Sequence, residues 1–175
     1  MKKTWIVSAL ALFAIIASTS PEARAGLDLS VLGGASLENG AAHDGVSKVA
    51  PLIGANALVG ITPFTEIGVF YEDNLISDSG NSGHQAFYGG MLRFTLIPLL
   101  FLDAQVGVSS INYGDGGGTS DSALSFGGRL GYQFSIAPMT SLSPFVGYRN
   151  LPAKYGSVSY DGNTIDFGLM LTFGL

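Results

Sequence analysis

The chain contains no cysteine, and charged side chains make up only 12% of its 175 residues. The lack of cysteine excludes disulfide bonds, thiolate metal sites and cysteine nucleophiles. Basic residues are scarce as well, with eight lysines and arginines against 13 aspartates and glutamates and a net charge of −5. So acidic a chain is a poor candidate for binding nucleic acid, and we expect no nucleic-acid partner.

The first 25 residues predict a bacterial signal peptide. Met1–Lys3 is a short basic start, Trp5–Ala17 is a largely apolar run, and Ala23–Ala25 has the small-x-small form of a cleavage site. The apolar run is shorter than the ~20 residues that a spanning helix needs, which disfavours a membrane anchor. The expected mature protein is a single domain, residues 26–175, with five basic and 12 acidic side chains and a net charge of −7.

Long apolar runs are missing after residue 25, although 47% of the chain is hydrophobic. Apolar residues instead alternate with small or polar ones, most clearly in Thr164–Leu175, T-I-D-F-G-L-M-L-T-F-G-L. A period of two predicts a strand with two unlike faces, and about 11 residues is the length that a tilted strand needs to cross a bilayer. All 25 glycines also lie after residue 25, where they disfavour helices and suit the bends and crowded interior of a barrel.

Seven further stretches alternate in the same way, so we predict an all-β fold, an eight-stranded antiparallel up-and-down transmembrane β-barrel. The predicted strands are Leu27–Leu37, Leu52–Thr62, Thr65–Glu72, Gln85–Leu96, Leu100–Ile111, Ala123–Phe134, Ser141–Arg149 and Thr164–Leu175. Short proline-containing turns follow the second, fourth and sixth strands. Longer polar connections follow the others, at residues 38–50, 73–84, 112–122 and 150–163. Short periplasmic turns and long outer loops are typical of bacterial outer-membrane barrels.

Two rings of aromatic residues are expected on the outward face, where they would mark the two membrane interfaces. The outer ring would contain Tyr71, Tyr88 and Tyr148. The inner ring would contain Phe94, Tyr132, Phe134 and Phe173. A soluble, lipocalin-like barrel would turn the apolar face inward, but it would not explain the alternating loop lengths.

The leader, the eight alternating strands, Gly147–Arg149 (Gly-Tyr-Arg) and the alternating last strand resemble small outer-membrane barrels of the OmpA/OmpX type. The resemblance implies an outer-membrane location, surrounding outer-membrane lipid and the barrel-assembly machinery as a partner during biogenesis. Such barrels usually end in Phe or Trp, whereas this chain ends in Leu175 with Phe173 two residues earlier. We therefore expect assembly by that machinery, with terminal recognition of a different strength.

All three arginines after residue 25 fall on faces predicted to point into the lumen. We predict a lower charge group of Glu66, Arg93, Asp103 and Arg129, and an upper group of Glu72, Arg149 and Asp166. Arginine suits such groups because its guanidinium can engage a carboxylate with two hydrogen bonds. Paired charges in so narrow a barrel favour a closed lumen and a structural or interaction role. The alternatives are a narrow pore in which the pairs open, and an OmpW-type conduit for small hydrophobic solutes.

Catalytic and metal chemistry has little support. His43 and His84 fall in predicted outer loops, no serine stands two residues after either, and Asp44-Gly45 is typical of a turn. The glycine-rich segment Asp115–Ser120 lacks the ligand spacing of a calcium loop. We expect no catalytic, cofactor or metal site, and four mobile polar loops at the cell surface whose ligand the sequence does not identify.

Cleavage of the leader is directly testable. Expressed in a Gram-negative host, the chain should reach the outer-membrane fraction with Gly26 as its first residue, as judged by intact mass and N-terminal sequencing. Ala25→Arg should retain the leader, because a bulky charged residue does not fit the small-residue cleavage site. A wild-type chain that keeps residues 1–25 would contradict the predicted signal peptide.

Overall fold

A computed structural model describes residues 26–40, 48–78, 81–113, 118–155 and 158–175. The predicted leader, residues 1–25, lies outside the described residues, as do His43, Asp44 and Asp115. Among the described residues, no helix is long and apolar enough to cross a membrane.

The described chain consists of β-strands joined by short connections. The strands are β1 (Leu27–Gly40), β2 (Lys48–Thr62), β3 (Thr65–Asp78), β4 (Asn81–Ile97), β5 (Leu100–Tyr113), β6 (Gly118–Thr119), β7 (Ala123–Tyr132), β8 (Phe134–Ala137), β9 (Thr140–Asn150), β10 (Ala153–Tyr155), β11 (Val158–Tyr160) and β12 (Gly162–Gly174). Strands β7 and β8 are two parts of one barrel strand, separated at Gln133.

The sheet closes on itself. Neighbouring strands pair antiparallel in the order β1-β2-β3-β4-β5-β7-β9-β12, and β12 pairs back with β1. If the paired residues are followed from strand to strand once around the barrel, the path that starts at Leu29 returns to β1 at Asn39, ten residues further along the chain. For eight strands this stagger corresponds to a strand tilt of about 40°. The predicted eight-stranded antiparallel barrel is confirmed.

Strands β3 and β4 run further outward than their alternation predicts. The sequence predicts a polar loop over residues 73–84, whereas the pairing of the two strands continues to Asp78 and Asn81. The backbone ladder needs only N–H and C=O groups, so it persists beyond the point where apolar alternation stops. His84, which the sequence places in a loop, therefore lies in β4.

The two faces of the barrel are inverted relative to a soluble protein. Large apolar side chains point outward all around the sheet, with Leu124 72% and Val49 67% exposed. Polar and charged side chains point inward and are buried, including all three arginines of the barrel. A lipocalin-like barrel would show the opposite arrangement, so the structure excludes that alternative. An apolar surface of this extent is suited to lipid.

Aromatic and apolar side chains mark both ends of the outward face. Tyr71 and Tyr88 stack on neighbouring strands with ring centroids 6.4 Å apart, and Tyr132 and Phe134 contact each other at 4.7 Å. The apolar surface continues below Phe134 into the inner turns. The exposed residues there are Leu96, Ile97, Leu99, Ile136 and Met139.

Lumen glycines accommodate neighbouring groups instead of leaving empty space at several positions. A Cβ at Gly131 would overlap the ring of Phe101, and one at Gly168 would lie 3.0 Å from Cζ of Phe145. At Gly107 a Cβ would overlap the backbone carbonyl of Tyr88 on the neighbouring strand. These glycines permit the close approach of strands and aromatic rings in a narrow barrel.

Substituting Gly107 tests this close approach. Gly107→Ala should destabilise the folded barrel by about 1–3 kcal/mol, because the added methyl group meets a backbone oxygen that cannot move alone. Gly90→Ala is the matched control, since the nearest atom to its added Cβ is 4.0 Å away, and we expect a change within ~0.5 kcal/mol. Urea unfolding in lipid vesicles measures both, and equal effects would show that the glycine does not act through close approach.

Candidate functional site

The seven charged residues predicted for the lumen come from six barrel strands. They are Glu66 and Glu72 on β3, Arg93 on β4, Asp103 on β5, Arg129 on β7, Arg149 on β9 and Asp166 on β12. Successive side chains of a strand alternate between faces, and each of the seven lies on its strand's lumen-facing positions. The six other than Glu66 are buried, and the Glu66 side chain is 25% exposed.

The strand register aligns four of these charges in one row of alternating sign. Glu66 pairs across the sheet with Arg93, Arg93 with Asp103, and Asp103 with Arg129. Arg93 engages Asp103 with two hydrogen bonds, Nε to Oδ1 at 2.7 Å and Nη2 to Oδ2 at 3.0 Å. The outer contacts of the row are longer, 3.9 Å from Arg93 to Glu66 and 3.7 Å from Arg129 to Asp103.

The row does not continue around the wall, because Gly147 is the next position after Arg129 and carries no side chain. Arg129 instead contacts Glu72, whose strand β3 lies on the far side of the lumen. Glu72 also lies 3.3 Å from Nη1 of Arg149 and accepts a 2.6 Å hydrogen bond from Nε2 of Gln105. Glu72 is thus the point where contacts from three other strands converge.

Arg149 forms the outer end of the network with Asp166. Its Nε and Nη2 donate to the two carboxylate oxygens of Asp166 at 2.5 and 2.7 Å. The Nη2 group also donates to Ser36 Oγ and Asn74 Oδ1, both at 2.9 Å, and Ser36 Oγ donates to Asp166 Oδ1 at 2.6 Å. The pattern of charges in the sequence does not single out Ser36, Asn74 and Gln105. Their signal was the same as that of the charges, a polar residue on a lumen-facing position.

The contacts therefore form one chain, Glu66–Arg93–Asp103–Arg129–Glu72–Arg149–Asp166. The sequence divides these residues into a lower and an upper group, whereas the structure joins the two groups through Glu72. That division rests on the height of each residue along its strand. Height does not reveal that Glu72 contacts arginines across the lumen. The chain has four carboxylates and three guanidinium groups, so it carries a net negative charge.

Apolar and aromatic side chains surround the charged chain. The guanidinium carbon of Arg93 lies 4.2 Å from the Phe101 ring centroid, and that of Arg129 lies 4.6 Å from the Phe145 centroid. Met170 Sδ accepts from Arg93 Nη2 at 3.5 Å and from Asn56 Nδ2 at 3.6 Å. These flanking groups exclude water, which strengthens the attraction between the paired charges and also raises the cost of leaving any of them unpaired.

The outer mouth of the lumen is crossed by residues 151–154, which follow β9. Leu151 is fully buried in a cluster with Leu58, Phe70, Phe87 and Met91, and Ala153 is buried with Ala50, Ile76 and Ile111. Those two clusters are formed by strands β2 to β5, on the other side of the barrel from β9. The sequence predicts a mobile polar loop over residues 150–163, whereas its first residues are apolar and buried across the mouth.

The histidine that the structure describes lies on the outer surface. His84 Nδ1 is 3.4 Å from Asp73 Oδ1, above the stacked tyrosines on β3 and β4. Within the described ranges, no three His, Asp or Glu side chains are grouped closely enough to hold a metal ion.

Comparisons with known proteins place this geometry in a structural context. No protein-family profile matches the sequence, and no curated protein sequence matches it. Neisserial surface protein A matches in structure with a TM-score of 0.71 and 12% identity, covering 84% of this chain and 96% of that chain. Ail of Yersinia pestis, in complex with the heparin analogue sucrose octasulfate, has a TM-score of 0.52 and 13% identity, covering 85% and 99%.

The outer membrane protein AlkL, solved in lipid bilayers, also has a TM-score of 0.52, with 10% identity over 90% of this chain and 93% of that chain. This chain has the fold of the small outer-membrane barrels. The resemblance expected from the strand pattern is thus confirmed at the level of fold. Identities of 10–13% extend that conclusion no further than the fold.

Glu72 should be the most sensitive member of the charged chain. Glu72→Gln leaves Arg129 and Arg149 buried with fewer compensating charges, and we expect a loss of about 3 kcal/mol of unfolding free energy. Glu66→Gln is the matched control, because Glu66 is partly exposed and its ion pair with Arg93 is long, and it should cost less than ~1 kcal/mol. Urea denaturation in vesicles measures both, and a Glu66 effect as large as that of Glu72 would rule out Glu72 as the centre of the network.

Proposed function

We propose that the protein is an integral outer-membrane barrel with a closed lumen and a structural or interaction role at the cell surface. The observation that carries the proposal is the continuous chain of seven charged side chains across the lumen. A barrel of eight strands is about wide enough to be filled by its own side chains. Here aromatic rings, methionines and ion pairs occupy that interior, which supports a closed barrel over a permanent pore.

The outward surface supports the membrane location. Its exposed aliphatic and aromatic side chains would be costly in water and favourable in lipid. The closing of β12 on β1 leaves the barrel without a free edge, as a bilayer requires. The chain's last residue takes part in that closure, because Leu175 N donates to Leu27 O at 2.9 Å. Export through a signal peptide and assembly by the barrel-assembly machinery belong to the same proposal.

The charge of the outer connections favours a cationic surface partner. Three of the five basic residues after residue 25 are buried arginines, which leaves only Lys48 and Lys154 for the outer end. The same connections carry seven carboxylates, at Glu38, Asp44, Asp73, Asp78, Asp115, Asp121 and Asp161, and six remain when Glu38, which is buried in the lumen, is set aside. Ail was solved with a polysulfated sugar analogue. The acidic balance here argues against a polyanion of that kind and for a basic protein or peptide as ligand.

Conductance measurements test the closed lumen. Refolded residues 26–175 in a planar bilayer should show no steady single-channel current, because the lumen is filled and its charges are paired. A cold-versus-boiled gel shift verifies folding, and a known porin verifies that the bilayer reports conductance. A steady current through the folded wild-type barrel would contradict the proposal and favour the alternative of a narrow pore.

A further inference from the structure

We propose that residues 151–154 form a lid over the outer mouth of the lumen, which opens toward the cell surface while the barrel itself stays closed. Opening would admit small cationic or neutral polar solutes to the outer part of the lumen. The proposal goes beyond a closed structural barrel, because it gives the lumen an outer chamber that is accessible part of the time.

The lid reaches directly across the mouth. It leaves the wall at the end of β9 and places Leu151 and Ala153 in apolar clusters on strands β2 to β5. Since β3 lies opposite β9 in the closed sheet, these contacts span the lumen. A segment in this position covers the outer part of the lumen.

The lid is attached by few bonds to the barrel. Gln85 Nε2 donates to Leu151 O at 3.4 Å, and Ser109 Oγ donates to Pro152 O at 3.1 Å. Two backbone hydrogen bonds hold the lid, one at each end, from Leu151 N to Gly162 O at 2.7 Å and from Asp121 N to Lys154 O at 2.8 Å. Pro152 has no N–H to contribute. These hydrogen bonds are few, and the one from Gln85 is long.

The lid also lies outside the barrel's own ladder. Strands β10 and β11 form a separate two-stranded sheet, and within the described ranges their strand pairing with the rim is an isolated bridge between Asp121 and Lys154. Two-stranded hairpins are marginally stable by themselves. The lid can therefore lift by releasing these few bonds while the registered pairing of the eight barrel strands stays intact, which costs less than opening the barrel itself.

The charge of the covered space determines which solutes it would take. From Glu72 outward, the described lumen-facing side chains include three carboxylates, at Glu38, Glu72 and Asp166. They include two cations, at Lys48 and Arg149. This excess of negative charge favours entry of cations over anions.

Thiol accessibility tests the lid. The wild-type chain gives no background labelling, because it has no cysteine. The target is S109C, since Ser109 is 1% exposed and its hydroxyl lies directly beneath Pro152. S125C is a second target in case S109C misfolds, because Ser125 Oγ is 2.6 Å from Ser109 Oγ. The control is S143C, since Ser143 is equally buried nearer the inner end of β9.

The lid is locked by adding D121C and K154C and oxidising the pair. These two exposed residues are bridge partners on antiparallel segments, a spacing that a disulfide can join. Each variant is refolded in vesicles, checked by gel shift and exposed to cationic and anionic methanethiosulfonates. Mass spectrometry measures the rate of thiol modification at each cysteine. Each rate is divided by the modification rate of the same cysteine in the unfolded chain.

We expect S109C to react in the free barrel, the oxidised lock to slow it by about tenfold, and S143C to stay protected. The cationic reagent should react roughly three times faster than the anionic one. Equal S109C rates with and without the lock, or no reaction in either, would overturn the lid. Reaction of S143C as fast as S109C would assign access to opening of the whole barrel. Single-channel conductance tests separately whether the lumen below the lid is closed. Failure of the closed-lumen proposal can therefore be distinguished from failure of the lid proposal.

Discussion

The pairing of β12 with β1 is the constraint on which the rest of the structure depends. It removes the last free edge of the sheet, so every barrel strand has a hydrogen-bonded neighbour on both sides. Closure with eight strands and a ten-residue stagger then limits the width of the lumen. In that space large side chains fit only where neighbours are small, which accounts for glycines that face Phe101 and Phe145.

Charged side chains in such a lumen contribute more to the specificity of the fold than to its net stability. Removing them from water is costly, and the ion pairs offset that cost only when every member is paired. Arg93 and Arg149 each form two hydrogen bonds to one carboxylate, the arrangement that fixes geometry best. Their strands can therefore meet in one register only, because a slip by one residue would turn each arginine toward lipid.

The sequence predicts most of this fold because alternation, turn chemistry and charge parity are local signals. The eight strands and the inward direction of Arg93, Arg129 and Arg149 follow from a period of two alone. The outward continuation of β3 and β4 does not, since Leu75 and Ile76 are the only apolar side chains among the paired residues there and two adjacent residues give no alternating pattern. The burial of Leu151 across the mouth is also hidden, because one leucine beside a proline carries no periodic pattern and its partners lie on distant strands.

The missing side chain at Gly147 has a mechanical consequence. If the row of charges continued through that position, it would run around the wall as a hoop. Because it stops there, Arg129 turns inward and the contacts run from one wall to the other through Glu72. A hoop resists expansion, whereas a tie across the diameter holds opposite walls at a fixed separation. The network therefore joins β3 to β7 and β9 across the lumen, and a change in the separation of these walls would have to break buried ion pairs.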